Sequence, residues 1–201
     1  MKWFFNCISF VFHPIVMPLI AVVFYFHKSP RFIPEQWIDA KIISLFILTV
    51  LLPILIFYLL KTLGKANSIY LRTTKERILP LLVNIIIILL ILYRVFPSHQ
   101  IIELYYFFIG VLISNITALV LNIIKFKVSL HMVAISGVFM FFIGFALHFS
   151  KNINGTLALM SLITGTVATA RLYLKAHTPR ELFIGLLIGV IPQIIAENYW
   201  L

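Results

Sequence analysis

Cysteine is almost missing from this chain. Cys7 stands alone, so an intrachain disulfide and a Cys-x2-Cys metal or redox motif are both excluded, and a buried, inert thiol is expected. Acidic residues are nearly as scarce. Glu35, Asp39, Glu76, Glu103, Glu181 and Glu197 are the full set, and their scatter offers no carboxylate cluster for a metal ion. Charged residues of both signs make up 11% of the 201 residues, against about 25% in soluble domains. That deficit excludes an ordinary water-soluble globule. Long linkers, low-complexity tails and internal repeats are also lacking, so residues 1–201 are expected to form a single integral membrane domain.

What fills the chain is hydrocarbon. Hydrophobic residues account for 62% of it, grouped in apolar runs at about 3–26, 40–60, 79–96, 101–124, 130–149, 156–174 and 182–201. Each approaches the ~20 residues that carry a helix across ~30 Å of hydrocarbon. The runs are continuous and lack the alternation of an outer-membrane barrel. The expected fold is therefore all-α: a polytopic transmembrane bundle of seven spans. Six is the second choice, because Pro14 and Pro18 threaten the first run. That run also continues past any small-x-small cleavage motif, so a retained helix is expected in place of a signal peptide. Pro53 and Pro192 lie inside runs and are expected to kink them.

The net charge of +10 sits in the short gaps between runs. Such a distribution suits headgroups and phosphorylated substrates, and nucleic acid is not expected as a partner. With seven spans, one end gathers eleven nearby Lys and Arg and the other five, which points the first end to the cytoplasm. Lys65, Arg72, Lys75, Arg77 and Arg171 are the chemically interesting members of that group. Set aside, they leave six against five, so orientation stays open.

Three polar clusters share that cation-rich end. The first runs from Lys65 through Arg72 to Lys75 and Arg77. The second is Lys127-Val128-Ser129-Leu130-His131. The third is Ala170-Arg171-Leu172-Tyr173-Leu174-Lys175-Ala176-His177-Thr178-Pro179-Arg180-Glu181. Ionisable groups at a membrane boundary are costly unless water, a partner or a substrate compensates them. His177 and Glu181 are four apart, the spacing of one helical face if a helix has begun there, and Pro179 suits the first turn of such a helix. His131 opens the fifth run, where a helix N-terminus offers free N–H groups to an anion.

The order Lys65-x6-Arg72, Ser129-x-His131, Arg171-x5-His177-x3-Glu181 resembles the three signatures of the type 2 phosphatidic acid phosphatase (PAP2) superfamily, the group that includes acid phosphatases and vanadium-dependent haloperoxidases. Those signatures read Lys-x6-Arg-Pro, Pro-Ser-Gly-His and Ser-Arg-x5-His-x3-Asp. The resemblance covers about residues 61–190, and the separation of 46 residues from His131 to His177 suits an intervening helical hairpin. Departures are Thr73 for Pro, Val128 and Leu130 for Pro and Gly, Ala170 for Ser, and Glu181 for Asp. Lys75 or Arg77 is an alternative to Arg72.

The resemblance implies a PAP2-like bundle acting as a lipid phosphatase. His177 is then the nucleophile that forms a phosphohistidine, and Glu181 orients it and stabilises its cation. His131 protonates the leaving alkoxide and then activates water. Ser129, Lys65, Arg72 and Arg171 hold the phosphate oxygens. No metal or other cofactor is implied. The expected substrate is a lipid phosphate or polyprenyl diphosphate in a bacterial inner membrane; oligomeric state is left open. The alternative is a non-catalytic lipid-phosphate binder or carrier on the same scaffold, followed by a structural membrane subunit. His13 is read as a kink-filling group that would otherwise line the substrate groove. His27, His99 and His148 are expected at interfaces, and Asn84, Asn115 and Asn122 as links between helices.

Overall fold

A computed structural model describes residues 1–62 and 73–201, without the side chains at 60 and 75. Among the described residues the chain is helical throughout, with no strand. The described residues form nine α-helices in order: α1 Lys2–Val11, α2 Met17–Lys28, α3 Glu35–Phe46, α4 Leu52–Thr62, α5 Thr74–Leu90, α6 Ile102–Ile123, α7 Leu130–His148, α8 Asn154–Tyr173 and α9 Pro179–Glu197. A π-helical turn, Ile47–Leu51, joins α3 to α4 without a break, and a second, Ile91–Val95, extends α5.

Among the described residues, six helical stretches are long and apolar enough to cross a membrane: Glu35–Leu59, Glu76–Val95, Ile102–Ile123, Leu130–His148, Asn154–Tyr173 and Pro179–Glu197. Such a set suggests a multi-pass integral membrane protein. The seven-span expectation is corrected at its first member. Residues 3–26 do not form one helix. They divide into α1 and α2 around Phe12–Val16, because Pro14 lacks an N–H and disfavours helical backbone at His13. Pro53 acts less drastically, since the π turn just before it accommodates the missing i→i−4 bond. Pro80 and Pro192 lie inside α5 and α9, which run on through them.

The bundle has two chemically different ends. Aromatic rings fill the one reached by the C-termini of α2, α7 and α9. Phe24 lies 3.9 Å from Phe142, and Phe107 4.6 Å from Phe141. Here Glu103, fully buried, receives Arg31 Nη2 at 2.7 Å and the Tyr25 hydroxyl at 3.1 Å. His148 stands 3.4 Å from the same carboxylate. Towards the other end, α7 and α9 pack closely through small residues. A Cβ on Gly189 would lie 2.0 Å from Ser136 Oγ and 2.3 Å from the Val133 carbonyl. One turn earlier, a Cβ on Gly185 would meet the Ser129 carbonyl at 2.8 Å. Glycine at this i, i+4 spacing lets two helix backbones approach.

Polar side chains tie other helices together. Asn84 donates to Asn115 at 2.7 Å, and Ser114 reaches the Ile188 carbonyl at 2.8 Å. Asn122, expected to link helices, turns back onto Ala118 in its own helix.

Candidate phosphate site at one end of the bundle

Local chain chemistry starts the site. Thr178 caps α9: its hydroxyl accepts from the Glu181 N–H at 3.3 Å, and Glu181 Oε2 accepts from the Thr178 N–H at 3.2 Å. This reciprocal pair is a capping box, with Pro179 in the first turn. The same Oε2 lies 2.8 Å from His177 Nδ1. His177 therefore precedes the helix and is not on its face, as the i, i+4 reading supposed. Glu181 meets it by reaching backwards as the third helical residue. That reach explains why glutamate serves here, since an aspartate is one methylene shorter. A carboxylate only accepts, so His177 carries its proton on Nδ1 and its lone pair on Nε2.

His177 is 7% exposed. Burial, followed by the charges of Arg77, Arg171 and Lys127, lowers its pKa from 6.5 to about 3. Both effects disfavour the imidazolium. A neutral imidazole follows, which is the nucleophilic form.

The α6–α7 connection is stitched to this segment. Ser129 N–H donates to the Glu181 carbonyl at 3.3 Å, and Lys127 Nζ to the Ala176 carbonyl at 3.1 Å. Arg77, buried near the start of α5, donates to the Val128 carbonyl at 2.8 Å. Residues from the three sequence clusters thus meet at one end. His131 lies in the first turn of α7, and its Nε2 is 3.0 Å from the Ser9 carbonyl. His13 packs edge-on against it, with centroids 5.5 Å apart. An open cleft of about 510 Å³ borders His177, Glu181, Lys127 and Lys175.

Several polar atoms here have no hydrogen-bond partner among the described residues. Ser129 is fully buried, yet its Oγ has no partner; Arg171 Nε and Ser9 Oγ are buried and unpartnered as well. Ser129 is the N-cap residue of α7 but makes no side-chain cap. Buried donors without an acceptor cost about 1–3 kcal/mol each, so these atoms favour an acceptor beside them.

Of the residues singled out by sequence, His177, Glu181, Ser129, His131 and Arg171 are gathered at this end. Lys65 and Arg72 lie outside the described residues, as does the Lys75 side chain. Arg77, the alternative cation, is within electrostatic reach of His177. Sequence reasoning missed Lys127 as a site cation and Ser9 altogether. Lys127 was visible as a charge beside Ser129. Ser9 acts through its backbone and leaves no side-chain signal. Among the described residues no cluster of three His, Cys, Asp or Glu is placed to hold a metal. Comparison with protein-family models, curated proteins and solved structures found no match.

Proposed function

We propose that this chain is a membrane phosphatase that hydrolyses a lipid phosphate or polyprenyl diphosphate through a phosphohistidine. One observation carries the reading: the unpartnered buried donors Ser129 Oγ and Arg171 Nε occur beside a neutral histidine oriented by a carboxylate. Phosphate oxygens are acceptors of the required kind.

In this reading the phosphate lies at the N-terminus of α7, where free N–H groups favour an anion. Arg171, Arg77 and Lys127 surround it, and Ser129 donates a hydroxyl. His177 Nε2 attacks phosphorus and the bond to the leaving oxygen breaks. Glu181 holds the Nδ1 proton and offsets the charge that develops on the ring. His131 supplies a proton to the leaving oxygen and takes one from the water that hydrolyses the phosphohistidine. The apolar tail of the substrate stays in the bilayer. Helical spans in place of a strand barrel favour an inner-membrane type of bilayer. The site's pattern of residues resembles that of the PAP2 superfamily, with Arg77 as the alternative to Arg72 and Lys127 as an additional cation.

Phosphate release from a panel of phosphatidic acid, phosphatidylglycerol phosphate, polyprenyl diphosphate and lipid A tests the proposal, with His177→Ala beside the wild type. Release by the wild type and not by the variant is expected. Equal release by both, or none by either, overturns it. Trapping a phosphoenzyme from labelled substrate separates a phosphatase from a binder or carrier, which yields no covalent adduct.

A further inference from the structure

Nothing in the residue pattern joins position 9 to position 131, yet the Ser9 carbonyl lies 3.0 Å from His131 Nε2. The reason that carbonyl is free is local. The last four carbonyls of a helix have no partner inside it, and α1 ends at Val11. The amide that would ordinarily return to Ser9 is that of His13. Pro14 holds His13 out of helical conformation, and the turn closes elsewhere: Phe12 N–H bonds to Ile8, and Val16 N–H to His13. The stranded carbonyl is then taken by an imidazole from α7.

The docking of α1 is specific. The Phe5 ring packs at a 39° tilt against Tyr173, with centroids 4.6 Å apart, two residues after Arg171 on α8. The helix spans about 15 Å, half of the ~30 Å hydrocarbon core. Its outward face carries Trp3 at 79% and Phe10 at 80% exposure. Too short to cross the bilayer by itself, α1 packs on α8 beside His131.

We propose that Ser9 is a positioning residue for His131. The inference rests on the phosphatase reading of His131. A carbonyl only accepts, so His131 holds its proton on Nε2 and leaves Nδ1 as the ring nitrogen that exchanges protons. When water attacks the phosphohistidine, the new P–O bond forms as the P–N bond breaks. The electron pair returns to His177 Nε2, and the proton of the water passes to His131 Nδ1. In the next turnover that proton goes to the leaving oxygen as its P–O bond breaks. The Nε2–H stays on Ser9 throughout, which fixes the tautomer and strengthens as the ring becomes charged.

Histidine ring ¹⁵N spectra of the full chain in lipid nanodiscs provide the test, with the His131 signal assigned from His131→Gln and kinetics measured alongside. At a pH high enough to remove the Nδ1 proton that His131 keeps between turnovers, the wild type is expected to show His131 as the Nε2–H tautomer. Pro14→Ala frees His13 to become helical and compete for the carbonyl, and Phe5→Ala loosens α1 from α8. Both are expected to mix the tautomers and lower kcat about tenfold while KM moves less than twofold, in the range set by losing one charge-assisted hydrogen bond. Ser9→Ala keeps the carbonyl and is expected to keep the tautomer. An Nδ1–H tautomer in the wild type overturns the inference. So does an Nε2–H signal that neither Pro14→Ala nor Phe5→Ala moves, or an unchanged kcat once the tautomers have mixed. A wild type without any phosphatase activity sinks the functional reading instead, and the spectra still decide the Ser9 contact.

Discussion

Glu181 Oε2 serves two masters, a helix cap and an imidazole, and the two roles separate by substitution. Glu181→Gln retains an amide oxygen for the Thr178 N–H, so folding stability is expected to change by less than about 0.5 kcal/mol. The amide no longer supplies a negative partner for His177, and activity is expected to fall on the order of 10²–10⁴-fold, as when a histidine loses its orienting carboxylate. Denaturation and phosphate release measured on one preparation check both halves. The lowered pKa of His177 adds a pH prediction. Its folded value of about 3 lies below the ordinary 6.5, so the unfolded chain binds the extra proton between those values. The stabilisation is complete above about pH 6.5 and is lost as pH falls towards 3. Thermal midpoints of the wild type should therefore drop between pH 7 and 4, and His177→Gln should flatten that slope. At this scale the sequence was readable where side chains act on near neighbours, as with His177 and Glu181. It was silent on Ser9, because a backbone carbonyl looks the same under every residue type.

Helix ends show a similar division. The start of α9 could be read from Thr178, Pro179 and Glu181, whereas the ends of α6, α7 and α8 lack the glycine that usually marks such a stop. Instead Lys125, Ser150 and Lys175 take positive φ values of 65°, 47° and 51°. Each is followed by a six-to-one return bond: Phe126 N–H to Leu121, Lys151 N–H to Ala146, Ala176 N–H to Arg171. Left-handed backbone strains any residue with a Cβ. Ser150→Gly, far from the proposed phosphate site, is expected to stabilise the protein by about 1 kcal/mol without altering turnover. An unchanged or lower unfolding midpoint would contradict this. The first apolar run failed as a span for the reason its sequence already contained. Pro14 interrupts it, but hydrophobicity alone cannot tell a broken run from a continuous one.

Across the whole molecule, the alternation of ends was legible from run lengths, and orientation relative to the cell was not, because the site cations dominate the charge count. The fold makes a relative prediction. Cysteines placed at Lys175 and at Ser150, in a chain with Cys7→Ser, are expected to react with an impermeant thiol reagent from opposite sides of sealed vesicles. Labelling of both from one side would refute α8 as a membrane span. The close contact of α7 and α9 has a further consequence. His131 begins one of these helices and Glu181 the other, and the gap between them is set at Gly185 and Gly189, where Ser129, Val133 and Ser136 leave no room for a methyl group. The two glycines work as a caliper. Gly189→Ala should disable the site by widening its jaws, though position 189 lies two turns from the chemistry and touches no phosphate. A loss of turnover there would reveal a tolerance of one carbon atom in the spacing between the two histidines.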